Sequence, residues 1–220
     1  MSDTFPNCAT GALATRTVGG VVGVVDICRA IGLLLLLAVP APAQDAEAEI
    51  ERVASEGWRA ARALAPIGAP RDRLGAVNRS LERLDTLIAN ISARYADAAI
   101  RAAISAAQEE RDEMAVFLEH ARALSVQMAL TGEPARWPLP IDELEGELWF
   151  EVDRFADARD AYQRAITTTA SPRAWLGLAR ANVRLGDLAG ACTAYKAIAT
   201  AKLSEPEQLE IAVYLLRCRN

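Results

Sequence analysis

Residues 76–131 contain neither glycine nor proline, a run of 56 positions in a chain of 220. Those two residues are the strongest punctuators of local structure, so a run this long without them reads as helix, in one piece or folded into a hairpin. Beginning just before it, Leu74, Val77, Leu81, Leu84, Ile88, Ile91 and Tyr95 step 3-4-3-4-3-4, a heptad seam with Arg and Glu largely outside it. A second set, Met114, Phe117, Ala121, Leu124 and Met128, keeps that spacing. The two seams lose phase over residues 98–113, where Arg111 falls on the stripe. We favour an antiparallel hairpin within one chain, broken at residues 92–97 with Asp97 capping the new helix. The alternative is a long helix whose seam joins protomers as a coiled coil, making a homo-oligomer.

What precedes this run has a different character. Arg29 stands before an apolar stretch of about ten residues, 30–39, and Ala41-Pro42-Ala43 follows as an A-x-A sequence. Charge, short apolar run and small residues in that order make a secretory signal peptide, residues 1–43, cleaved between Ala43 and Gln44. The run is too short to span a bilayer, so no stable membrane anchor remains after cleavage. Residues 1–23 form a long leader, and a start at a downstream valine would shorten it. The expected location is periplasmic or secreted. Residues 45–65 then show a helical stripe of Ile50, Val53, Gly57, Trp58, Ala61 and Leu64, ended by Pro66, Gly68 and Pro70.

Composition excludes several function classes. One His and four Cys, two of them within the removable segment, leave no room for a zinc cluster, a Cys/His dyad or a Ser-His-Asp triad. No glycine loop is suited to phosphate, and no cofactor is implied. The net charge is −5, with the acids interspersed among the bases, so nucleic acid is not an expected partner. His120 reads as solvated or packed. The carboxylates of residues 109–113 and of Asp142, Glu143, Glu145, Glu147, Glu151 and Asp153 read as hydrated helix faces. An enzyme using that second cluster, for example a cell-wall hydrolase, is the alternative from another class.

Thr131-Gly132-Glu133-Pro134 and Trp137-Pro138-Leu139-Pro140 interrupt the helical pattern, a linker over 131–140. Beyond it the chain repeats at a spacing of 33: Phe155 with Leu188, Ala158 with Ala191, Ala161 with Ala194, Tyr162 with Tyr195. In the second copy Trp175-Leu176-Gly177-Leu178, Ala179, Asn182, Gly186-Asp187-Leu188, Ala191 and Tyr195 follow a W-x-x-L, turn glycine, alanine and aromatic order. The first keeps Gly146, Ala158, Tyr162, Ala165 and Pro172, with Asp142 at the tryptophan position and Asp153 at the turn. Residues 141–220 thus resemble the tetratricopeptide repeat family. Ser204 and Glu207, with Pro206 between them, open a final capping helix.

The resemblance implies an all-α chain: a helical hairpin or coiled-coil-like region over 44–130, then a tetratricopeptide-like α-solenoid. It also implies a groove lined by the first helix of each repeat, taking a protein or peptide partner. Carried over by position, that face presents Glu143, Glu147, Phe150 and Glu151 from the first copy, Arg173, Leu176, Arg180, Val183 and Arg184 from the second, and Leu209, Val213, Leu216 and Arg217 from the last helix. Acidic residues sit at one end and Arg, suited to carboxylate recognition, at the other. The antiparallel stacking of such repeats also brings Cys192 near Cys218, so a disulfide is expected in an oxidising compartment. The reading is a non-enzymatic exported scaffold of the cell envelope. Its structural alternative is a coiled-coil oligomer displaying repeat modules, in the layout of the periplasmic partner of the Tol-Pal system. Amino-terminal sequencing of the exported chain is expected to begin at Gln44; retention of residues before Ala43 would overturn the leader assignment.

Overall fold

The computed structural model describes residues 41–64, 71–132 and 137–218, and every regular element among them is an α-helix. The order is α1 (Ala41–Arg62), α2 (Arg71–Asp85), α3 (Ile91–Ala107), α4 (Arg111–Leu130), α5 (Ile141–Glu151), α6 (Phe155–Thr168), α7 (Pro172–Leu185), α8 (Leu188–Ala197) and α9 (Glu205–Arg217). Residues 1–40 of the leader, including its apolar run, lie outside the described residues, and Ala41-Pro42-Ala43 belongs to α1. None of the described helices is long and apolar enough to cross a membrane.

The run without glycine or proline is helical but interrupted twice, and not where the spacing placed the break. α2 stops at Asp85, and Asn90 opens α3 by accepting the Ser92 amide on its side-chain oxygen at 2.7 Å. An Asn cap supplies this local acceptor without any backbone peculiarity, so the break left no Gly or Pro signal. Asp97 lies inside α3, paired with Arg101 one turn on at 2.8 Å. The seam over 74–95 is therefore not one continuous ridge. Val77, Leu84 and Tyr95 are buried, whereas Ile88, in the turn, is 56% exposed.

The second interruption is a helix end built on an L-residue in the left-handed region. Glu109 has φ 61°, its amide bonds the Ala106 carbonyl, and the Glu110 amide reaches back to Ser105 at 2.9 Å. This pattern normally recruits glycine, because a Cβ strains the left-handed conformation by about 1–2 kcal/mol. The same turn recurs after α5, where Asp153 has φ 60° and the Arg154 amide bonds Trp149, and after α7, where Gly186 has φ 78° and Asp187 bonds Asn182. Three helix pairs, α3 with α4, α5 with α6 and α7 with α8, thus close through one turn geometry. Asp153 and Gly186 stand 33 residues apart, which is the sequence repeat.

Two apolar cores result. The first takes Ile50, Val53 and Trp58 from α1, Val77 and Leu84 from α2, Met114, Leu118, Leu124 and Met128 from α4, Leu144 and Leu148 from α5, and Val152 just after it. At its centre runs α3, buried nearly all round through Ala93, Ala96, Ala99, Ala102, Ala103 and Ala106, small residues that let neighbouring helices approach closely. At Gly57 of α1 an added Cβ would stand 2.6 Å from Ile100 and 2.9 Å from Ser80, so the absence of a side chain there sets how near α1 comes to α2 and α3.

The second core joins Ala158, Tyr162 and Ala165 of α6, Ala174, Leu176, Leu178 and Ala179 of α7, Ala191, Ala194 and Tyr195 of α8 and Ile211 of α9. The Tyr162 ring lies against both Gly146 of α5 and Gly177 of α7, and a Cβ on either would overlap it. α5 belongs to both cores, since its Trp149 and Phe150 pack on the second. Trp137 and Leu139 pack on the first, and the Tyr95 hydroxyl donates to the Leu139 carbonyl at 2.6 Å.

Replacing Glu109 by Gly relieves the left-handed strain at an exposed position. It is expected to raise stability by about 0.5–1 kcal/mol in denaturant unfolding; a loss of stability would contradict the turn geometry.

Candidate functional site

α5 reads Ile-Asp-Glu-Leu-Glu-Gly-Glu-Leu-Trp-Phe-Glu, five acids in eleven residues. The expectation that these are a hydrated face is corrected by the structure: α5 is flanked on several sides, so its acids meet other helices. Glu143 and Glu145 are only 5% and 7% exposed. Asp142 and Glu145 share two arginines. Arg122 of α4 donates to Glu145 at 2.7 Å and to Asp142 at 2.8 Å, and Arg164 of α6 donates to the same pair at 2.5 and 3.1 Å. Glu143 accepts from the Ser171 hydroxyl at 2.6 Å, and that hydroxyl in turn caps α7 through the Ala174 amide. A carboxylate taken out of water needs partners: Asp142 and Glu145 are paired with arginine, and Glu143 is held by hydroxyl hydrogen bonds.

The last two acids of α5 form one wall of a groove of about 600 Å³. Trp58, Arg59 and Arg62 of α1 and Ala63 just after it form the facing wall; Phe150, Tyr162, Leu176 and Gly177 supply apolar surface; Arg173 and Arg180 of α7 and Glu207 of α9 complete the lining. Arg62 pairs with Glu151 and lies 3.8 Å from Glu147, which also accepts from Arg173 at 3.2 Å. Burial pushes the Glu147 and Glu151 carboxyls above the ordinary carboxylate range, against the pull of the Arg62 charge. Glu207 is held below it by the Ser204 hydroxyl and amide, the capping box expected from the sequence.

Of the residues selected from the sequence, Phe150, Arg173, Leu176 and Arg180 line this groove; Val183, Arg184 and Arg217 do not. Val183 packs on the second core. The Arg184 guanidinium lies over the Phe155 ring at 4.1 Å and pairs with Asp153 at 3.3 Å, and Arg217 lies over Tyr214 at 5.2 Å. The expected separation of an acidic end from a free arginine end is also corrected. α7 lies beside α5 and α9, so Arg173 meets Glu147 and Arg180 meets Glu210. Sequence reasoning missed the α1 wall altogether. Trp58 with Arg59 and Arg62 was legible only as an amphipathic stripe, because nothing local says that α1 crosses α5.

α9 is fastened to the preceding helices by a clasp. Glu210 accepts from Arg180 through both oxygens, the shortest contact 2.6 Å, and from the Tyr195 hydroxyl at 2.7 Å. The Tyr195 and Tyr214 rings stack at 4.7 Å, and Cys192 and Cys218, 26 residues apart with Cα atoms at 5.7 Å, form a disulfide. Closing a ring of that size stabilises by about 3.5 kcal/mol on chain-entropy grounds. Burial pulls the Glu210 carboxyl upward, but the Arg180 and Tyr195 hydrogen bonds and the Arg180 charge outweigh it and hold the group below its ordinary value.

His120 is exposed, and among the described residues no three His, Cys, Asp or Glu side chains are grouped to hold a metal ion. No protein-family model, curated protein or solved structure matches this chain.

Because the Glu210 carboxyl is depressed in the folded state, its contribution is present above the unfolded carboxylate value and lost as pH falls through the folded one. Glu210→Gln is expected to cost about 1–2 kcal/mol at neutral pH. In urea unfolding series the difference from the parent chain should shrink toward zero in acid; a difference independent of pH would contradict the clasp.

Proposed function

We propose that the chain is an exported, non-enzymatic scaffold of tetratricopeptide-like helix pairs that binds a protein or peptide segment in the groove between α1, α5 and α7, in the cell envelope. The observation that carries this reading is the groove: open, about 600 Å³, with an apolar floor of Phe150, Tyr162 and Leu176 and a charged rim set by ion pairs. A segment of polypeptide suits such a surface, because its side chains fill apolar pockets while its amides and charges meet fixed groups at the rim. Helix pairs repeated through one turn geometry support the solenoid reading, since each pair buries its apolar face only by stacking on the next. The disulfide is compatible with an oxidising compartment.

The hydrolase alternative requires Glu143, Glu147 or Glu151 to carry the chemistry. Glu143 is committed to Ser171 and Glu147 stands between two arginines, which favours binding over proton transfer at these positions. Arg59 is an exposed cation of the groove, so its substitution tests the groove without emptying a core or unpairing Glu147. Peptides selected from a displayed library on the chain from Gln44 onward are expected to bind the Arg59→Glu variant at least tenfold more weakly, with unchanged melting. Peptides that bind both proteins equally, or a library that yields none, would overturn the proposal.

A further inference from the structure

One apolar surface is used neither by the cores nor by the groove. α9 directs Ile211, Tyr214 and Leu215 toward α8 and the second core, and Glu210 into the clasp. Its opposite side carries Leu209, Ala212, Val213 and Leu216, spaced 3-1-3, and the three large members are 66%, 41% and 62% exposed. The exposed side of an amphipathic helix is ordinarily polar, because it meets water. This one carries leucine, on a helix immobilised by a disulfide, a bidentate ion pair, a stacked tyrosine pair and a capping box. A surface already held rigid loses little entropy when something docks on it.

We propose that this face binds a second copy of the chain, α9 against α9, antiparallel about a two-fold axis near Ala212 and Val213. Charge chooses the occupant and the direction. The exposed Glu205 stands in the first turn of α9 and the exposed Arg217 in the last. A parallel pair would set Glu beside Glu and Arg beside Arg. The antiparallel pair brings Arg217 of each copy to the acidic first turn of the other, and its two-fold symmetry makes one patch complementary to itself. In that register Leu209 lies opposite the second copy's Leu216 and Ala212 opposite its Val213, so the small residue falls where the helices cross. The seam over residues 74–95, the alternative assembly surface, does not compete, since Val77, Leu84 and Tyr95 are spent inside the first core. A helix of 13 residues is about 20 Å long, which sets the interface at the small end of the range for specific contacts. The proposal stands apart from the groove reading and from whatever the groove binds.

Sedimentation equilibrium of the oxidised chain from Gln44 onward, across micromolar concentrations, is expected to give a monomer–dimer equilibrium. Leu216→Glu, an exposed substitution, should weaken it at least tenfold with unchanged melting. Arg217→Glu should weaken it too, and adding Glu205→Arg should restore it. A strictly monomeric protein would overturn the proposal, as would a dimer indifferent to Leu216→Glu but dissolved by Val126→Glu on the exposed side of α4. Protection of the α9 face from hydrogen exchange only on adding another protein would assign it a different occupant, with the same consequence.

Discussion

Everything in this protein is arranged around a short acidic helix that sits where its charges have little water. α5 carries five carboxylates in eleven residues, and arginines from α1, α4, α6 and α7 come to it: Arg62, Arg122, Arg164 and Arg173. Between those acids, Leu144 and Leu148 fill the first core and Gly146 receives the Tyr162 ring of the second. An unpaired carboxylate at a site as buried as Glu145 would be untenable, so the positions of α4 and α6 relative to α5 are dictated by where their guanidinium groups must end. Such pairing selects a register more than it adds stability, because desolvation offsets most of the attraction. The apolar cores hold the helices together, and the ion pairs decide how they are aligned.

The groove is a consequence of the same helix. Toward its end α5 borders the groove, and Glu147 and Glu151 pair there with Arg173 and Arg62 along the wall. Cations and anions balance closely along its walls, so the site offers apolar area and fixed hydrogen-bonding geometry more than a strong field of one sign. Glu210 repeats the logic one helix pair further on. There a single carboxylate, held by Arg180 and Tyr195, replaces the network around α5, and the disulfide between Cys192 and Cys218 supplies covalently the fastening that four arginines supply to α5.

Part of this was legible from residue order alone. The all-helical class, the 33-residue repeat and the capping box of Ser204 and Glu207 depend on short-range spacing, which helical geometry converts directly into position; the approach of Cys192 to Cys218 and the sharing of one surface by Phe150, Arg173, Leu176 and Arg180 were implied by the resemblance to stacked helix repeats. The helix ends at Asp85 and Glu109 were not legible, because an Asn cap and a left-handed Glu do the work usually signalled by Gly or Pro. The central role of α3 was missed for a related reason: an alanine-rich segment carries too little periodic contrast to show which face is buried, and in α3 almost all of it is.

Sequence by itself therefore determined which segments are helical, which residues share a face, and that two helix pairs are built alike, because these follow from the 3.6-residue turn and local caps. Only the tertiary structure decided that the acids of α5 are buried and paired, that α1 forms a wall of the groove, and that Val183, Arg184 and Arg217 lie outside it. Those outcomes depend on contacts between residues far apart in the chain, such as Arg122 with Asp142 or Arg62 with Glu151. No local rule says which arginine will reach which carboxylate; the packing of Leu, Ala and Tyr side chains brings the helices to the distance at which the pairing is made.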